Sequence, residues 1–108
     1  MSLYNDRAKF TRLLVRLIQY INNQEGYECT LGDVFAREGH CKNSFHYRGL
    51  AADINLFKKL SNGKIIYLTK TENHYEFGQY WKSLDPMCTW GGDFKRKDGN
   101  HYSYKEGK

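Results

Sequence analysis

Between residues 4 and 22, apolar side chains recur at helical spacing. Phe10, Leu13, Leu14, Leu17, Ile18 and Ile21 line one side, while Arg12, Arg16 and Gln19 lie elsewhere, which predicts an amphipathic helix. Asn5 or Asp6 would cap its start, and Asn22 and Asn23 with Gly26 would end it. Residues 27–31 alternate and predict a short strand. A helical turn is expected over 34–37, followed by a polar loop over 38–44. Residues 50–57 read as a strand. In extended form Leu50, Ala52, Ile54 and Leu56 would face a core, and Ala51, Asp53, Asn55 and Phe57 the opposite side. Ser61, Asn62 and Gly63 form a turn into a strand over 64–68, making a hairpin. A second helix is predicted over 71–84, with Tyr75, Gly78, Tyr80, Trp81 and Leu84 inward, Thr71 or Asn73 as cap, and Asp85-Pro86 as its end. Residues 87–90 and 101–104 read as short strands, separated by a flexible corner at Gly91-Gly92. The charged tail is expected to fray.

Composition adds bounds. The 108 residues suit one domain, 1–108, with one modest core. Aromatic residues make up 16% of the chain, and their large buried areas help a small core to suffice. The net charge of +5 favours polyanionic partners or simply solubility. Its densest basic group, Lys95-Arg96-Lys97, is too short to predict a dedicated nucleic-acid site. Three cysteines with no CxxC pair argue against a disulfide framework. No secretory leader is visible in residues 1–24, and no apolar run is long enough to span a membrane. The expectation is synthesis in the cytoplasm and action on a target outside it only after release by another agent. The sequence does not set the oligomeric state, and a monomer is the default expectation.

Candidate chemistry lies in two stretches. His46 and Asp53 stand seven residues apart with small residues between them, and Asp98-Gly99-Asn100-His101 offers a third ligand and a second carboxylate. Catalytic zinc takes three protein ligands and one open position, so His46, Asp53 and His101 are the candidate ligands of one zinc ion. The chain has four histidines, so the spacing alone is weak evidence. Asp98 could sit beside a metal-activated water as general base; the alternative is an ordinary turn residue in Lys-Asp-Gly-Asn. His40 and His74 read as surface residues, Cys41 as a non-ligand thiol, and Trp81 and Trp90 as core, with Trp90 also able to line a cleft.

The pattern Ser44-x-His46-x-x-Gly49-x-Ala51-x-Asp53, followed by Asp98-x-x-His101, resembles the zinc peptidases that cut D-amino-acid-containing bonds of peptidoglycan. These comprise D-alanyl-D-alanine carboxypeptidases and dipeptidases, and phage L-alanyl-D-glutamate endopeptidases. Trp90-Gly91-Gly92-Asp93-Phe94 is similar to the phage endolysin branch in particular, as is Asp98 where many relatives carry Glu. The resemblance covers roughly residues 30–102.

It implies an α+β fold: a small antiparallel sheet carrying the zinc site, with two main helices packed against it. It also implies zinc held by His46, Asp53 and His101, with Asp98 as general acid/base. Arg37 would bind substrate and polarise the scissile carbonyl, and Ser44 would bind substrate or orient its loop. Tyr102, after the last ligand, has an open role. The implied partner is the peptidoglycan stem peptide, cut after release to the wall from the host cytoplasm or periplasm. Alternatives are D-alanyl-D-alanine carboxypeptidase or dipeptidase action, and a non-catalytic zinc-stabilised wall-binding or virion module.

Overall fold

Helix α1 (Leu3–Asn23) forms where the apolar repeat predicts it, and Phe10, Leu13, Leu14, Leu17 and Ile21 are its buried side chains. The computed structural model describes residues 2–34 and 48–107. Ser2, rather than Asn5 or Asp6, caps α1: its hydroxyl accepts the Asn5 backbone N–H at 3.1 Å, satisfying a donor that the first turn leaves without a helical partner. Gly26, at φ +82°, turns the chain from α1 into strand β1 (Tyr27–Leu31).

The longest strand is β2 (Ala51–Lys59). It continues through a turn into β3 (Ile65–Leu68) as the expected antiparallel hairpin. Thr71–His74 form a single 3-10 turn before helix α2 (Tyr75–Leu84). The Asn73 side chain accepts the Lys70 backbone N–H there at 3.0 Å. The inward face of α2 is Phe77, Gly78 and Trp81, whereas Tyr75 is exposed. Strands β4 (Cys88–Trp90) and β5 (His101–Tyr104) complete the sheet.

Among the described residues the fold is α+β, with five antiparallel strands in the order β1-β2-β5-β4 and β3 also paired with β2. The first residues of β2 pair with β5 and the last with β3, while β1 runs along its other edge. β2 is thus the strand on which the sheet converges. Leu50, Ala52, Ile54 and Leu56 are buried and join Tyr102, Tyr104, Trp90 and the apolar faces of both helices in one core. Burying each such large side chain contributes about 1.5–3 kcal/mol. The alternation that buries these residues sends Asp53 and Asn55 to the opposite side of β2. None of the described helices is long and apolar enough to cross a membrane.

Two further expectations are corrected. Gly91-Gly92 is no flexible corner: both residues are buried in a 3-10 turn, Gly91–Asp93. A Cβ on Gly92 would stand 2.2 Å from the Trp90 ring, and one on Gly78 of α2 equally close to it. These glycines make room for Trp90. His74 is not on the surface but 2% exposed, with its Nδ1 2.8 Å from the Tyr102 hydroxyl.

Candidate metal and catalytic site

Asp53 and His101 meet because β2 and β5 pair antiparallel in a register that makes them direct cross-strand partners. Side chains opposite one another in such a pair share a face. The next residue of β5, Tyr102, points the other way into the core, opposite Ala52. His101 Nδ1 lies 3.8 Å from Asp53 Oδ1. The Asp53 backbone is held by the extension of β1: its N–H donates to the Asp33 carbonyl and its carbonyl accepts from Gly32 N–H, each at 2.8 Å. The following N–H, of Ile54, donates to the Asn100 carbonyl at 2.8 Å and ties β2 to the Asp98 loop.

That loop is anchored from two sides. Asp98 N–H donates to the Gly91 carbonyl at 2.9 Å, and Trp90 Nε1–H donates to the Gly99 carbonyl at 2.7 Å. A Cβ on Gly91 would lie 2.1 Å from the Asp98 carbonyl oxygen, so only glycine permits this approach. The Trp90-Gly91-Gly92 segment is therefore the bed on which the Asp98 loop rests. Trp90 is buried in the core, as is Trp81. The Asp98 carbonyl in turn accepts His101 N–H at 3.1 Å.

Asp53, Asp98 and His101 each offer one ligand atom, and these atoms lie within 4.8 Å of one another. Asp98 is exposed, Asp53 half-buried and His101 buried. Donors about 2.1 Å from a tetrahedral ion stand about 3.4 Å apart, so the 3.8 Å between His101 and Asp53 fits a shared ion. Imidazole and carboxylate are also donors that zinc accepts. Burial alone would push the His101 imidazole pKa down. Hydrogen bonding to Asp53 and Glu106 and the negative charges of Glu106 and Asp98 outweigh burial and raise it to about 9. An excess of negative charge around one buried imidazole is what a cation site requires.

Of the predicted site residues, Asp53, Asp98 and His101 come together. His46, Ser44 and Arg37, with His40 and Cys41, lie outside the described residues. Glu106 escaped the sequence reading. Its Oε1 is 2.6 Å from His101 Nε2, in a tail that was expected to fray. The sequence shows only a carboxylate before Gly107, with no motif to mark it. Tyr102 turns out to be a core residue, fully buried and edge-on to Trp81. Beside Asp98 opens a cavity of about 200 Å³, bordered by Asn55, Tyr67, Thr69, Thr71 and Lys97.

Comparison with curated proteins and with solved structures gave no match. A family model described as D-alanyl-D-alanine carboxypeptidase matches residues 31–104, a span that contains both motif stretches, strands β2 to β5 and the last residue of β1. The chain therefore belongs to the D-alanyl-D-alanine carboxypeptidase family and is a zinc metallopeptidase acting on peptidoglycan.

Proposed function

We propose that the chain hydrolyses an amide bond in the peptidoglycan stem peptide, at the L-Ala-D-Glu junction, as a phage-derived endolysin does. The observation that carries the hydrolytic reading is the convergence of Asp53, Asp98 and His101. The choice of bond is supported by the Trp90-Gly91-Gly92-Asp93-Phe94 segment and by Asp at position 98, both similar to the endopeptidase branch. On this reading His46, Asp53 and His101 hold one zinc ion. When bound, zinc supplies a Lewis acid that acidifies water and polarises an amide carbonyl. Asp98, exposed beside the ligands, removes the proton of the attacking water and delivers it to the departing amine. Arg37 would stabilise negative charge developing on the carbonyl oxygen, and Ser44 would hold the substrate. A polar cavity bordered by Asp98, though not by Asp53 or His101, adjoins the site. A net charge of +5 draws the protein to an anionic wall. The protein would reach that wall by release from the cytoplasm in which it is made.

A second reading is removal of the terminal D-Ala, and the description of the matched family favours it. Mass analysis of digested muropeptides separates the two: endopeptidase action exposes a new D-Glu amino terminus, whereas carboxypeptidase action releases single D-Ala. Zinc content and amino-group release from purified peptidoglycan, measured for the native protein and for His101→Ala, test the shared premise. The expected result is one zinc per chain and zinc-dependent release, both lost in the variant. Zinc-independent release would overturn the proposal. In Asp98→Asn, zinc should stay bound while turnover falls at least about 100-fold. Full activity there would remove Asp98 from the role of base.

A further inference from the structure

We propose that Glu106 is the positioning residue of the metal site, accepting a hydrogen bond from His101 Nε2–H and so presenting the Nδ1 lone pair to the ion. The inference rests on the metal reading above and extends it to a residue outside both motif stretches. Three observations carry it. Glu106 Oε1 lies 2.6 Å from His101 Nε2, at the distance of a charge-assisted hydrogen bond. The other ring nitrogen, Nδ1, is the one that faces Asp53 Oδ1, at 3.8 Å. A neutral imidazole has one N–H and one lone pair. A carboxylate can only accept, so when an ion displaces the Nδ1 proton Glu106 would keep the other proton on Nε2 and leave the Nδ1 lone pair free beside Asp53.

The backbone is built to bring Glu106 back. After β5 the chain reverses at Lys105, whose φ of 71° is the only positive value at a non-glycine among the described residues, and at Gly107, with φ 74°. Residues with a Cβ adopt that conformation at a cost, and here three contacts hold it. Lys105 N–H donates to the Met87 carbonyl at 2.7 Å, the Thr89 hydroxyl donates to the Glu106 carbonyl at 3.2 Å, and the Lys105 ammonium reaches Asp6 at 3.2 Å. Edge strand β4 and helix α1 thus jointly pin the turn that carries Glu106. His101 is buried, with Phe94 packed 5.4 Å away between ring centroids, so the ring has little room to turn away from Glu106.

Zinc affinity by chelator competition, with the thermal midpoint of each metal-free protein, tests the assignment on the full chain. Glu106→Ala should bind zinc about 10–100-fold more weakly with a metal-free midpoint close to native. Glu106→Gln, whose amide oxygen still accepts Nε2–H, should recover most of that loss. Long-range proton–nitrogen spectra of histidine-labelled, zinc-loaded native protein should show His101 protonated at Nε2 and metal-bound at Nδ1. Native-like zinc affinity in Glu106→Ala, or ligation through Nε2, would overturn this inference while leaving the metal site standing. Failure of the native protein to take up zinc would overturn the metal reading and this inference with it.

Discussion

His74 is buried in the core side of the molecule and hydrogen-bonds through Nδ1 to Tyr102, 2.8 Å away. Burial pushes its pKa down from 6.5 to about 4. The sign of the consequence follows from proton counting. Between pH 4 and 6.5 the unfolded chain binds a proton at this residue that the folded chain does not, so stability rises with pH across that window. His74 therefore costs nothing above about pH 6.5 and destabilises progressively as pH falls to about 4, by up to about 3 kcal/mol. Urea unfolding at pH 7 and pH 4.5 should show a larger loss for the native protein than for His74→Gln. Equal losses would mean that other groups set the acid sensitivity. The same hydrogen bond gives Tyr102 its place: the hydroxyl is satisfied inside the core, while the neighbouring residue, His101, faces the site.

At the scale of elements, the site depends on how the Trp90–Asp98 segment docks. Gly91 carries the tightest constraint, because a Cβ there would meet the Asp98 backbone at 2.1 Å and His101 Cβ at 2.9 Å. Backbone cannot yield as the end of a flexible side chain can. Gly91→Ala should therefore displace the Asp98 loop, lower peptidoglycan hydrolysis at least about tenfold, and destabilise the fold by about 1–3 kcal/mol. Gly63 is the useful contrast. It stands at φ +85° in the β2–β3 turn with nothing within 4 Å of a built Cβ. Gly63→Ala should cost about 1–2 kcal/mol of stability and leave specific activity unchanged. Thermal midpoints and initial rates of the two variants check both statements, and a native rate in Gly91→Ala would show that the loop does not need its present seat.

For the whole molecule, strand pairing and the core position Asp53 and His101. They are cross-strand partners in β2 and β5, above a core that both helices complete. The metal-free chain should therefore stay folded, unlike small zinc domains whose folding energy is the metal's. Zinc should still stabilise by mass action, by about 2.7 kcal/mol at a hundredfold excess over its dissociation constant. Chelation should lower the thermal midpoint while far-ultraviolet circular dichroism at 25 °C is retained, and His101→Ala should remove the zinc effect. Unfolding on chelation would mean that the metal, not the core, carries the fold.

What the sequence determined by itself is what local periodicity and side-chain type encode. The α1 repeat, the alternation of β2, the Asn62-Gly63 turn and the β5 strand were legible because burial demands a fixed spacing in each. Asp53, Asp98 and His101 were legible as chemistry, since few residue types can ligate a cation or move a proton. Their meeting was legible only through the resemblance of the two motif stretches, because the Asp53–His101 register is set by β2 pairing with a strand more than forty residues away. His74 gave no sign of burial, because Glu72, Asn73 and Glu76 near it in sequence are polar and its contact with Tyr102 is made across the fold. Gly91 and Gly92 looked like a flexible corner, since a sequence cannot show which ring or carbonyl will press against a missing Cβ. Glu106 lay in a charged tail whose path is decided by strand β4 and helix α1. Tertiary structure alone turned that tail back onto His101, because contacts between distant segments leave no period in the chain.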